Sequence, residues 1–350
     1  MAVSLQELLG IEWPIVQAPM AGVQGSALTV AVSNAGGLGS LPCATLSLAA
    51  MRNELAAVTR QTRRPFNVNF FCHAPPTPDV AREAAWRTAL APFYAELGAD
   101  PASIPTGPAR VPFDADGADL VDEFKPAVVS FHFGLPPADL LARVKRSGAK
   151  VFSSATTVDE ARWLEARGVD AVIAQGLEAG GHRGMFLSAD LSTQVGTIAL
   201  LPQIARAVKV PVIAAGGIAD AAGLAAAMRL GAAGVQVGTA YLLCPEASTS
   251  PVHRAALKGA GAHHTALTNL FTGRPARGIV NRLMQHFGAV SPVAPAFPLA
   301  AAAVAPLRAA AERQGSGDFS PLWSGQNASG CREIPAGELT RTLAAAVDRR

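Results

Sequence analysis

The chain has 350 residues, half of them hydrophobic and 16% charged, with 33 Gly and 26 Pro. That is the composition of a packed globular body with many short connections, and it excludes a disordered chain. The formal charge of +3 comes from 29 basic and 26 acidic residues spread along the chain. There is no clustered Lys/Arg stripe, which argues against nucleic acid as a partner.

In chain order, the opening MAVSLQELLGIEWPIV lacks a basic region followed by an apolar stretch and a small-residue cleavage site, so it does not read as a secretory signal. Short runs rich in Val, Ile and Phe then alternate with Ala/Leu/Arg segments of helical period, the pattern of parallel βα units. Eight strands are expected, near residues 14–20, 37–41, 66–71, 127–133, 150–155, 171–176, 210–217 and 234–242. Eight is the number that closes a TIM (β/α)8 barrel, and the chain is read as one such domain over 1–350. A helix and a Pro/Gly/Asp-rich segment between about 79 and 126 are taken as an insertion before strand four. Among the later helices, TVDEARWLEARG starts at a Thr or Asp cap and stops at Gly168, and DAAGLAAAMRLG repeats the pattern from Asp220 to Gly231. The hundred or so residues after strand eight show little strand character. About 245–325 is therefore expected to form a helical lid or flank over the barrel mouth. Within it, the apolar tract 298–311 is interrupted by Pro306 and Arg308 and is too short to cross a bilayer. Cys43, Cys72, Cys244 and Cys331 form no CxxC pair, which speaks against a disulfide framework or a metal site and fits a reducing cytoplasm.

Two consecutive strands, PVIAAGGI at 211–218 and GVQVGTAYL at 234–242, end in glycine where the chain should turn. Gly216, Gly217 and Gly238 leave backbone amides unobstructed, and Thr239 adds a hydroxyl. In (β/α)8 enzymes the loops after the last two strands commonly bind phosphate. The plainer alternative is that these glycines only permit tight turns. Strand six runs into AQGLEAGGHRG at 174–184. There Gln175 offers a donor and an acceptor, Gly180, Gly181 and Gly184 let backbone lie close to a flat ring such as isoalloxazine, and His182 is expected to titrate near neutral pH. Other strand ends contribute Met20, Asn67, Asn69, Ser130, His132, Ser153 and Ser154. Asn69 suits a flavin carbonyl or ribityl hydroxyl, Met20 an aromatic face or simple core packing, and His132 a substrate cavity. His73 is read as structural.

The series QAPMAG, NVNFF, SFHFG, AQGLEAGGHRG, PVIAAGGI and GVQVGTAYL, followed by DFSPLWSGQNA, resembles the nitronate monooxygenases, once called 2-nitropropane dioxygenases, and within them class I. The resemblance runs from about residue 14 to the C-terminal region. It implies FMN as cofactor, with contacts at Asn69, Gln175, Gly180, Gly217, Gln236, Val237, Gly238 and Thr239, and it places the active-site histidine at His182. It also implies a small alkyl nitronate such as propionate 3-nitronate as substrate, oxidised with O2 to a carbonyl compound plus nitrite or nitrate. Members commonly carry tyrosines before the C-terminal helix, whereas here that stretch has Phe297 and no Tyr. Arg308 is left as the candidate cation for a nitro or carboxylate group.

Two other readings share the motifs. An FMN-dependent NAD(P)H-using reductase, of enoyl-ACP reductase or quinone reductase type, has the same GGH loop and phosphate strands. A non-catalytic barrel that merely binds a phosphate ligand would keep the glycines and lose the histidine.

Overall fold

The computed structural model describes residues 3–105 and 110–347, so Thr106–Ala109 of the Pro/Gly-rich insertion lie outside the described residues. Eight parallel strands form the body: β1 (Ile15–Gln17), β2 (Gly39–Pro42), β3 (Phe66–Phe71), β4 (Val128–His132), β5 (Lys150–Ala155), β6 (Ala171–Gln175), β8 (Val212–Ala215) and β9 (Gly234–Val237). The number β7 falls to a short strand outside the barrel, Gly181–His182. Neighbours pair in parallel around the ring, β9 pairs back with β1, and a bridge between Val16 and Leu38 brings β1 to the start of β2. The sheet is thus a (β/α)8 barrel.

Period-two alternation divides every strand between two environments. Val68 and Phe70 of β3, Val129 and Phe131 of β4, Val172 and Ala174 of β6 and Val235 and Val237 of β9 face the surrounding helices in one large apolar cluster. The intervening residues face inward, and their polarity rises along β4, β5, β6 and β9. The lower interior holds Val16, Val128, Phe152, Ala171 and Ile213, packed with Leu5 and Leu9 of the helix Leu5–Leu9, which plugs the bottom. Higher up, the inward positions become Ser130 then His132, Asn67 then Asn69, Ser154, Gln175 and Gln236. An apolar floor and a polar C-terminal end place any ligand at the top of the barrel.

The helices begin and end as their sequences require. Thr157 caps Val158–Ala166 by accepting from the Glu160 amide, and Asp220 caps Ala221–Arg229 through the Gly223 amide. Gly168 and Gly231, both at positive φ, turn the chain back toward the next strand. Three strands are clearly shorter than expected: β1 is only Ile15–Gln17, β8 only Val212–Ala215, and β9 stops at Val237, where Thr239–Leu243 winds into a 3-10 helix.

The region after β9 carries the expected helices, Pro251–Lys258, Arg282–Phe287 and Ala300–Arg313, and adds strands among them. An antiparallel hairpin, β10 (Thr265–Thr268) with β11 (Ala276–Ile279), captures β7 on its outer side, opposing Ala276 to His182. Beyond it, the helix Ala300–Arg313 packs against the insertion helix Val80–Leu97 in a second apolar cluster containing Trp86, Phe93, Tyr94, Val304 and Leu307. Trp86 Nε1 donates to the Ala300 carbonyl at 3.3 Å and the Tyr94 hydroxyl to that of Ala303 at 2.5 Å. The insertion and the C-terminal region therefore build one cap together. Among the described residues, no helix is long and apolar enough to cross a membrane.

Candidate functional site

A cavity opens at the C-terminal ends of the barrel strands, and most of the residues singled out in the sequence line it. Met20, Asn69, Gln175, Gly180, Gly217, Gln236, Gly238, Thr239, His132 and His182 all contribute to its wall. Two do not. Val237 points outward into the helix-facing core, as its place one residue from inward-facing Gln236 demands. Arg308 lies on the helix Ala300–Arg313, where its Nε donates to Glu312 one turn on at 2.8 Å. The cation that does line the cavity is Arg110, in the insertion segment, which motif reading passed over.

One side of the cavity is built for an anion. Gly216 and Gly217 follow β8 with φ of 116° and 74°, a conformation that turns successive amides toward the same space. The N–H groups of Gly216, Gly217, Gly238 and Thr239 donate to no acceptor among the described residues. The Thr239 hydroxyl accepts from the Gly325 amide at 2.9 Å, which leaves its own proton available. The WSGQN segment folds over this cup: the Gln326 amide donates to the Glu178 carbonyl at 3.0 Å and the Asn327 side chain to the Gly217 carbonyl at 3.0 Å. Trp323, Gly325 and Asn327 thereby join the lining. Gly180 is needed for that crossing, since a Cβ there would lie 2.5 Å from the Gly325 nitrogen.

Polar side chains stand along the rest of the floor. Asn69 gives its amide protons to the Ser130 carbonyl and hydroxyl at 3.1 and 2.9 Å, so its orientation is fixed and its oxygen faces away from them. Gln236 Oε1 is buried without a donor. A buried acceptor left unpaired is costly, and a ligand N–H or O–H placed there would satisfy it. Gln175 is more committed than its sequence position suggested. Its Oε1 accepts from the Gly184 amide at 2.7 Å and its Nε2 donates to the His182 carbonyl at 2.9 Å, so it staples the glycine-rich loop and keeps one proton to offer. Fully buried Arg183 clamps the same loop through the carbonyls of Gln175 and Gly176, both at 2.7 Å, while Glu178 ties it to the Thr197 amide.

His182 is the centre of the opposite side. Its Nε2 is 2.9 Å from the Thr272 hydroxyl of the hairpin, and its ring is surrounded by Phe71, Phe133, Phe297 and Trp323, with centroids 5.4 to 6.0 Å away. Burial, then the positive charges or potential charges of Arg110, His132, Arg274 and His73, push its pKa well below the ordinary histidine value. The expectation of titration near neutrality is therefore not met: through the neutral range the imidazole is uncharged. His132 is also uncharged, its pKa lowered to about 4 chiefly by burial, against the opposing effect of its bond to the His182 carbonyl. Because a carbonyl only accepts, His132 carries its proton on Nε2, 3.1 Å from that oxygen, and its Nδ1 accepts from the Ser154 hydroxyl at 3.0 Å. Gly184 makes room for this ring, for a Cβ there would sit 2.9 Å from His132 Cε1.

One cavity thus brings together exposed backbone donors at the β8–β9 end, the polar side chains of Gln236 and Asn69, and His182 on the opposite side. Known proteins are similar to this chain in both sequence and fold. A family model described as nitronate monooxygenase matches residues 3–346. A nitronate monooxygenase of Pseudomonas aeruginosa is 46% identical over 345 residues, covering 96% of each chain, and one of Paraburkholderia phytofirmans is 44% identical, covering 97% of this chain and 93% of the relative. Among solved structures, the nitroalkane oxidase of Streptomyces ansochromogenes superposes with a TM-score of 0.87 at 39% identity, over 99% of this chain and 98% of the other. FabK of Thermotoga maritima does so with a TM-score of 0.71 at 28% identity, over 99% and 96%.

Proposed function

The chain belongs to the nitronate monooxygenase family, and from that premise we propose that it binds FMN and oxidises small alkyl nitronates, such as propionate 3-nitronate, with O2 to carbonyl compounds plus nitrite or nitrate. The observation that carries this reading is the set of four unpaired amides at Gly216, Gly217, Gly238 and Thr239, in the same cavity as His182 and the unpaired Gln236 Oε1. A phosphate dianion suits the first group, and the N–H edge of an isoalloxazine suits the last. FMN, when bound, supplies the electron transfer that an electron-rich nitronate requires.

The protein's part is position and charge. Gly217, Gly238 and Thr239 would hold the phosphate, with Asn327 and the Ser324–Gly325 backbone closing over them. Asn69, Gln175 and Gln236 would bind the polar atoms of the ring, and Met20 would pack against it. His182 would meet the substrate, with His132 holding the loop that presents it. A neutral His182 is a hydrogen-bond donor or a base according to the substrate. A preformed nitronate needs only an oriented donor at its nitro oxygens, while a neutral nitroalkane needs its α-proton removed, which His182 alone among these groups is placed to do.

The test is spectroscopic. Purified protein is expected to be yellow and to release FMN on denaturation. Under anaerobic conditions the flavin should be reduced by propionate 3-nitronate and not by NADH, and readmitted O2 should return the oxidised spectrum. Reduction by NADH alone would replace this reading with the NAD(P)H-dependent reductase, and a flavin indifferent to both would leave a binding protein.

A further inference from the structure

The motifs and the family match leave one charged group in the cavity unexplained. Arg110 belongs to the segment leading out of the insertion, and the chain just beyond it is anchored: the Phe113 amide donates to the Phe71 carbonyl at 2.8 Å, and the Phe113 ring packs on Phe70 and Phe131 with centroids 4.7 and 5.2 Å away. The guanidinium lies over the Phe297 ring, 5.5 Å from its centroid, and Phe297 in turn is 5.4 Å from His182. Arg110 therefore sits on the β3 side beside His182, whereas the phosphate cup is at the ends of β8 and β9. Its Nε and Nη1 are buried and have no hydrogen-bond partner among the described residues.

The other arginines near the site each hold at least one backbone carbonyl, and of these only Arg274 also has a buried nitrogen, its Nε, without a partner among the described residues. Arg183 donates to two carbonyls and to Gln194, and Arg277 donates to the Leu177 carbonyl. Arg274, stacked 3.9 Å over the Phe133 ring, reaches the Met185 carbonyl. Among the cavity-lining residues Arg110 is the only Arg or Lys, and none is Asp or Glu. A contact with the Phe297 face offsets part of the charge, but it leaves the Nε and Nη1 protons without an acceptor among the described residues. Buried donors left unpaired are unfavourable, and an anion reaching this edge of the half-buried guanidinium would complete them.

We propose that Arg110 is the specificity-determining residue of this site, receiving a second anionic group, a carboxylate, on the substrate whose nitronate lies at His182. The inference rests on the function proposed above and assigns to a residue of this chain the choice among nitronates. A nitronate with a plain alkyl tail brings one negative charge to a cavity with a free guanidinium and a polar anchor. A carboxylated nitronate brings two, one for each end. The planar fork accepts a carboxylate through two parallel N–H bonds, which fixes the tail and so the orientation of the reacting carbon at the other end.

The experiment compares wild type with Arg110→Met and Arg110→Lys, each first checked for FMN content and thermal midpoint; should Arg110→Met not fold, Arg110→Gln takes its place. Oxygen consumption is measured with propionate 3-nitronate and with propyl 1-nitronate. The ratio of the two kcat/KM values is expected to favour the carboxylated substrate in wild type and to fall about 10²-fold in Arg110→Met, through KM more than kcat, with Arg110→Lys in between. A ratio unchanged within about twofold in Arg110→Met overturns the proposal. Calorimetric titration with 3-nitropropionate and with 1-nitropropane separates this inference from the reaction it rests on. If wild type oxidises neither nitronate, the functional reading fails, yet preferential binding of 3-nitropropionate that is lost in Arg110→Met still supports the anion site. Equal binding of the two compounds by wild type overturns it.

Discussion

At the scale of single residues, the neutral state of His182 has a kinetic consequence. Its pKa is held well below the ordinary value of 6.5 by burial first and by nearby cations second. The free enzyme thus keeps its base form as pH falls through the usual histidine range. With a neutral nitroalkane, kcat/KM should stay level there and decline only at lower pH, because that parameter reports the free enzyme. A midpoint near 6.5 would show that the site is more hydrated than its surroundings suggest. In His182→Asn, nitroalkane oxidation should drop by about 10²- to 10⁴-fold while much of the nitronate oxidation persists, because Asn donates a hydrogen bond but cannot take a proton. Equal, undiminished rates with both substrates would exclude His182 from the chemistry. Two glycines make a contrasting pair. A Cβ on Gly180 would collide with backbone at Gly325, 2.5 Å away, whereas a Cβ on Gly217 meets nothing nearer than Glu178 at 3.5 Å but must adopt a φ of 74°. Gly180→Ala should therefore cost about 1–3 kcal/mol through displacement of the WSGQN segment. Gly217→Ala should cost about 1–2 kcal/mol of backbone strain. Both should lose FMN affinity, and chemical denaturation together with flavin titration measures each effect separately.

At the scale of elements, the site depends on pieces far apart in the chain. The hairpin β10–β11 holds β7, and so His182, from one side, while Gln175 and Arg183 hold the same loop from the barrel. The cap is a different kind of support. Its apolar cluster joins the insertion helix to the C-terminal helix, and Trp86 is its largest fully buried side chain. Removing that indole should cost the cap about 3–5 kcal/mol by the usual penalty for an emptied aromatic site. Because the cluster is separate from the barrel core, the loss should be local. Hydrogen exchange in Trp86→Ala should accelerate across 80–97 and 300–313 and leave β4, β5 and β6 protected. Uniform acceleration of cap and barrel together would mean that the two unfold as one unit.

For the molecule as a whole, buried neutral histidines set an acid limit. His73, His132 and His253 are each lowered to about 4 from 6.5, burial being the largest cause in every case. The unfolded chain binds these protons near 6.5 and the folded chain only near 4. Their stabilising contribution is therefore complete above about pH 6.5, declines as pH falls between 6.5 and 4, and falls no further below that window. Thermal midpoints should be steady from pH 8 to 7 and drop progressively by pH 4.5. The drop should be shallower in His253→Gln, where one of the three groups no longer titrates. A midpoint as high at pH 4.5 as at 7.5 would mean that these rings gain partners or water on protonation.

The sequence by itself determined the barrel and the end of it that carries the site. Alternating strands and helices specify the parallel closed sheet, and period-two patterning decides which side of each strand is inside. Gly216, Gly217 and Gly238 mark the exposed amides at the ends of β8 and β9 because a left-handed turn or an open amide is a property of a residue and its immediate neighbours. The tertiary structure alone decided what depends on long-range contact. It showed that 276–279 forms the centre of a three-stranded sheet, paired on one side with 265–268 and on the other with a two-residue segment at His182 almost a hundred positions earlier. It removed Arg308 from the site by packing the helix Ala300–Arg313 on the distant insertion helix, and brought in Arg110 by anchoring Phe113 to the end of β3. It also moved His182 away from neutral titration, because burial and the approach of Arg110 and Arg274 are sums over the whole fold. Local chemistry is written in the order of residues, while charge, burial and pairing at this cavity arise only when the insertion, the barrel and the C-terminal segment meet.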